Sequence, residues 1–143
     1  MIDDLGDAVN RSLENVQTKY AGLDDFDYEN YGTWEVYQQW QKDFVAANSD
    51  IASEAAYGLS YEKRELNYIK LGKGSKKIVL HGGTHAREWI SHITMINMAK
   101  QLVDEYRAGT ESAKYLEDIT WYIHVSMNPG KAFVHQQLDN YED

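Results

Sequence analysis

The chain has no cysteine among its 143 residues, which excludes structural disulfides and thiolate metal sites. It has no apolar run approaching the roughly 20 residues that a bilayer-spanning helix requires, so no membrane span is expected. Its first residues, Met1-Ile2-Asp3-Asp4, offer neither a basic start nor an apolar stretch of secretory-leader length. Taken literally, such a chain stays in the cytosol. Clustered Lys and Arg are also missing, and phosphate contacts need them, so nucleic-acid binding is not expected. There is no internal repeat and no low-complexity tract.

What remains is a globular composition: 43% hydrophobic residues, with 11 Tyr and 4 Trp. The length suits one domain with one core. The net charge of −9 is carried by the ends. Residues 1–30 hold eight acids against two bases, residues 138–143 hold three acids and no base, and residues 31–137 carry twelve of each. Acidic ends of this kind read as solvated surface.

Hydrophobic periodicity divides the chain. Leu5, Ala8, Val9, Leu13 and Val16 recur at helical spacing, so residues 3–18 read as a polar helix. Gly22-Leu23-Asp24-Asp25-Phe26-Asp27 breaks it as a linker. Residues 34–46 predict an amphipathic helix started at Gly32-Thr33, with Tyr37, Trp40 and Phe44 on its apolar stripe. A strand ending at Ala56-Tyr57-Gly58-Leu59-Ser60, a polar turn and a strand over 65–71 predict an antiparallel hairpin. Residues 76–81 read as a short strand buried on both faces. A helix over about 89–106 follows, with Met95, Ile96, Ala99, Leu102, Val103 and Tyr106 as its stripe and Gly109 as its C-cap. Residues 111–117 suggest a short helix and 119–125 a strand, so the strand–helix–strand run predicts a right-handed parallel unit.

Between strand 76–81 and the long helix lies Leu80-His81-Gly82-Gly83-Thr84-His85-Ala86-Arg87-Glu88-Trp89-Ile90-Ser91. Ligands of open α/β sheets bind beyond the carboxyl ends of strands, where this loop falls. His85 and Glu88 can offer an imidazole nitrogen and a carboxylate to one metal ion. The spacing alone is weak, because Glu88 would also sit favourably at the positive end of a helix. Gly82 and Gly83 permit a close approach of other groups. Trp89 and Ile90 read as core residues anchoring the loop. His81, His92, His124 and His135 read as structural or surface histidines.

The string Gly-Gly-x-His-Ala-Arg-Glu-Trp-Ile-Ser closely resembles the first zinc-binding segment of metallocarboxypeptidases of the carboxypeptidase A and B type. Phe26-Asp27-Tyr28-Glu29-Asn30-Tyr31 resembles the start of the mature enzyme, and Gly58-Leu59-Ser60-Tyr61-Glu62-Lys63-Arg64 its early hairpin. Met127-Asn128-Pro129 resembles its later Asn-Pro segment. Together these cover about residues 24–134. The resemblance implies an α/β fold, a mixed sheet with helices on both faces, incomplete in this chain.

It also implies one zinc ion, with His85 and Glu88 as two of three protein ligands and the downstream histidine unmatched. Arg87 would face the peptide substrate or its carboxylate, a role suited to a permanently charged bidentate fork. The bland alternative for Arg87 is an ordinary surface ion pair. No catalytic base is matched, so no catalytic residue is assigned.

After Asn128-Pro129 the chain departs from the family pattern. Gly130-Lys131-Ala132-Phe133 stands where Asp-Gly and an aromatic residue are usual, and no arginine follows. Residues 1–23 resemble the closing helix and connector of an activation segment, with Lys19 before Tyr20 as the nearest basic cleavage signal. Residues 24–143 would be the front part of the catalytic domain. By resemblance the protein is an extracellular peptide hydrolase acting on peptide C-termini, with a protease inhibitor as a further partner, and the 143-residue chain alone is expected to be inactive. The competing reading is a non-catalytic binding protein derived from a carboxypeptidase.

Overall fold

The computed structural model describes residue 16 and residues 18–85 and 87–129. Most of the polar helix expected over 3–18, and everything beyond Pro129 including His135, lies outside the described residues. A 3-10 turn at Leu23–Asp25 leads to helix α1, Trp34–Ala47. Thr33 caps α1, its Oγ1 accepting from the Val36 amide at 3.3 Å. The expected stripe is buried: Tyr37, Trp40 and Phe44, with Val36 and Gln41 beside them.

Strands β1 (Ala52–Leu59) and β2 (Glu65–Leu71) form the expected antiparallel hairpin, from Ala52 opposite Leu71 to Leu59 opposite Glu65. The register shifts between Ala56 and Gly58. Strand β3 (Lys76–His81) is followed by helix α2 (Trp89–Ala108), which ends on Gly109 in the left-handed region at φ 64°. A 3-10 turn runs into the short helix α3 (Lys114–Asp118), then β4 (Ile119–His124). The strand order is β1-β2-β4-β3, with β4 antiparallel to β2 and parallel to β3. The mixed α/β sheet expected from the sequence is therefore present.

The core follows from this register. Ile69 faces Ile123 across β2 and β4, and both are fully buried with Leu71. They share one apolar cluster with Trp40 and Phe44 of α1 and Ile96 and Ala99 of α2. The two long helices meet directly where Tyr37 stacks on His92. On the alternate residues of the sheet, Tyr57, Tyr68, Tyr122 and His124 group their rings at 5.0–6.3 Å, half-exposed.

Two expectations need correction. β3 is not buried on both faces: Val79 is 60% exposed and the strand alternates between exposed and half-buried residues. It pairs with β4 and has no second neighbour among the described residues, so its outer edge lacks cover. Ile90 is not a core residue but 60% exposed, because it lies in the first turn of α2, whose buried positions begin only at His92. Trp89 does anchor, meeting Tyr31 edge-on at 5.7 Å.

Candidate metal-binding loop

The loop is held at its base by the ends of the parallel strands. The Gly82 amide donates to the His124 carbonyl at 2.9 Å, and the Met127 amide donates to the Gly82 carbonyl at 2.9 Å. Asn128 Nδ2 adds a bond to the Thr84 carbonyl at 3.3 Å. The Asn-Pro segment after β4 thus lies against the loop after β3, although more than 40 residues separate them in sequence.

The two glycines are there because helix α2 begins so close. A Cβ on Gly82 would stand 2.5 Å from the Ser91 carbonyl oxygen. Gly83 has φ +63°, and a Cβ there would fall 2.8 Å from Cδ2 of His92 and nearer still to Nε2. The close approach read from the sequence is therefore that of the first turn of α2. The Gly83 amide donates to Ser91 Oγ at 2.8 Å, and that hydroxyl donates to the Glu88 carbonyl at 2.6 Å.

Within the loop the Glu88 amide donates to the His85 carbonyl at 3.0 Å. This turn brings the two side chains together: His85 Nδ1 stands 2.9 Å from Glu88 Oε2. An ionised carboxylate only accepts, so Nδ1 carries the proton in this contact. The side chains are 61% and 46% exposed, and even a fully charged pair this wet contributes only about 0–1 kcal/mol. It is too weak to hold the pair closed against a competing ligand.

Two donors on a tetrahedral zinc, each about 2.0–2.1 Å from the metal, stand roughly 3.4 Å apart. His85 and Glu88 would need to open by about half an ångström and lose the Nδ1 proton, both small changes for exposed side chains. The pair fits two positions of a zinc site. Among the described residues no third His, Cys, Asp or Glu joins it. Arg87 is exposed and has no hydrogen-bond or ion-pair partner among the described residues, so its guanidinium is open to a carboxylate.

The other described histidines behave as structural or surface groups. His81 is exposed, its Nδ1 3.2 Å from Thr84 Oγ1. His92 is 3% exposed, and burial lowers its pKa. His124 is half-buried, its pKa lowered by burial and then by the neighbouring His81. Sequence spacing alone assigns Ser91 and Asn128 no part in the loop's geometry. A hydroxyl three residues after Glu88 was visible, but its two partners depend on where the helix docks. A surface concavity of about 550 Å³ beside Tyr106, Arg107 and Lys114 lies at the far end of α2, away from this loop.

The fold and loop define an open α/β sheet protein with an imidazole–carboxylate pair past the carboxyl end of a parallel strand, where such sheets bind ligands. The zinc carboxypeptidase family model matches residues 37–140, and the chain belongs to the zinc carboxypeptidase family. It is 34% identical over 114 residues to carboxypeptidase A5 of Macaca fascicularis, covering 77% of this chain and 26% of that protein. It is 32% identical over 114 residues to the inactive metallocarboxypeptidase ecm14 of Talaromyces stipitatus, covering 73% and 19%.

Two solved structures of thrombin-activatable fibrinolysis inhibitor share the fold. One has a TM-score of 0.85 at 20% identity, covering 96% of this chain and 35% of that one. The other, the bovine protein in complex with tick carboxypeptidase inhibitor, has a TM-score of 0.70 at 25% identity, covering 78% and 36%. The chain spans about a quarter of the first relative's length and about a third of the solved structures. No helix among the described residues is long and apolar enough to cross a membrane.

Proposed function

We propose that this chain supplies the first part of the active site of a zinc carboxypeptidase, an extracellular enzyme that removes C-terminal residues from peptides. The observation that carries the reading is the 2.9 Å contact of His85 with Glu88 beyond the end of β3. In this reading residues 24–143 are the front of the catalytic domain and residues 1–23 the end of an activation segment. His85 and Glu88 would hold the ion. Zinc held there would supply Lewis-acid chemistry for the scissile carbonyl and a nucleophilic water near neutral pH.

The chain's own residues do the rest of what can be derived. Arg87 presents its planar fork to the substrate's peptide oxygen or terminal carboxylate from the same turn that carries both ligands. Hydrogen bonds from Ser91 and Asn128 keep that turn in place. A protease inhibitor is a fitting partner, since a solved relative of the same fold is complexed with one. A second reading, a binding protein without catalysis, is favoured by the similarity to a metallocarboxypeptidase named inactive.

Zinc titration of the 143-residue chain, followed by calorimetry, tests the metal reading. H85A and E88Q should each weaken zinc binding at least tenfold, and the chain alone should release no C-terminal residues from peptides. Zinc affinity indifferent to both substitutions would overturn the metal site. Peptide release by the chain alone would show that the described ligands suffice.

A further inference from the structure

We infer that Ser91 is a positioning residue for the metal-binding loop, fixing through one hydroxyl the separation of the two ligands. The inference rests on the metal-site reading above. A serine hydroxyl has one proton to donate and two lone pairs. Here the proton goes to the Glu88 carbonyl at 2.6 Å, and a lone pair takes the Gly83 amide at 2.8 Å. Those two backbone groups bracket the segment that contains His85, Arg87 and Glu88. Both of its ends are therefore tied to the same oxygen.

The rest of Ser91 reinforces the tie. Its own amide donates to the Glu88 carbonyl at 3.0 Å, so that carbonyl receives two bonds from one residue. Its carbonyl packs against Gly82 closely enough to leave no room for a Cβ. From Glu88 the constraint passes on, because the Glu88 amide bonds the His85 carbonyl at 3.0 Å. Ser91 itself sits in the first turn of α2, the helix anchored in the core by Ile93, Ile96 and Ala99. Ser91 thus carries the rigidity of the core to a loop whose ligand side chains are otherwise exposed.

Groups that orient metal ligands without touching the metal typically change metal affinity 10–100-fold when removed. Thr and Val are the informative pair at position 91, being alike in shape and differing in the hydroxyl. With zinc as the probe and titration calorimetry as the readout, S91T should bind within threefold of the parent chain. S91V should bind about tenfold more weakly, and S91A likewise. Binding is measured well below each variant's own melting temperature in chelator, so lost stability alone would not move it. Equal zinc affinity for S91T and S91V, while H85A and E88Q still weaken binding at least tenfold, overturns the inference and leaves the metal site standing. Binding indifferent to H85A and E88Q as well removes the metal site, and the inference with it.

Discussion

The imidazole of His92 lies on the ring of Tyr37, with centroids 5.6 Å apart and planes 14° from parallel. Each sits where its charged form is disfavoured. Burial holds His92 below the ordinary imidazole value of about 6.5 and pushes the Tyr37 hydroxyl up to about 12. For His92 the folded pKa is the lower one, so its contribution is complete above about pH 6.5 and is lost as pH falls towards the folded value. For Tyr37 the folded pKa is the higher one, so its contribution is complete below about pH 10 and is lost as pH rises through about 12. The melting temperature should therefore be flat near neutrality and fall on both sides. H92Q should flatten the acid limb between pH 7 and 5. An acid limb of unchanged slope in H92Q would assign the effect elsewhere, His124 being the other histidine whose pKa is lowered.

Gly83→Ala should be severe. The added methyl meets the His92 ring and the residue must keep φ +63°, costs of about 1–3 kcal/mol for overpacking and about 1–2 kcal/mol for the left-handed backbone. Denaturant unfolding of G83A should show a loss of that order. A loss under about 0.5 kcal/mol would mean that the turn relaxes freely and that α2 does not hold it.

Trp40 is fully buried, stacks on Phe44 at 4.7 Å and donates its indole N–H to the Tyr28 hydroxyl at 3.2 Å. Trp40→Ala should cost about 3–5 kcal/mol, a large share of the 5–15 kcal/mol typical of a domain. Trp40→Phe keeps most of the packing and should cost less. Equal losses in both would place the stabilisation in the hydrogen bond to Tyr28 instead of in the ring's volume.

Much of this architecture was legible in the sequence because the relevant physics is local. Thr33 followed by Glu35 and the Tyr37, Trp40, Phe44 stripe marked α1 to within a residue. The alternation over 65–71 and Gly109 after the last apolar turn marked β2 and the end of α2. The proximity of His85 and Glu88 followed from three-residue spacing in a turn. What was not legible depends on neighbours distant in the chain. Ile78, Val79 and Leu80 read as a buried strand, and apolar character alone does not reveal that β3 has one strand neighbour among the described residues. Ile90 looks like an anchor beside Trp89 until the helix axis is known. Ser91 looks like a helix-start serine until Gly83 is seen to reach it.

The exposed edge has its own test. β3 offers an unpaired row of backbone groups beside Val79, among the described residues, and such edges pair with other copies. Sedimentation of the 143-residue chain should show concentration-dependent association, and Val79→Lys should shift it towards monomer. A chain that is monomeric at all concentrations would mean that the edge is protected.

The strand made last in the described sheet, β4, is inserted between β2 and β3 and contributes the His124 carbonyl that receives the Gly82 amide. During synthesis the ribosome therefore releases both metal-ligand candidates some 30 residues before the strand that steadies them, a loop-closure delay that slows such contacts. The hairpin can form early from neighbouring residues, but the loop is tied to the sheet at its base only when β4 arrives. Nascent chains halted before residue 119 should thus carry the local Ser91 and Glu88 bonds of the loop without the His124 tie at its base.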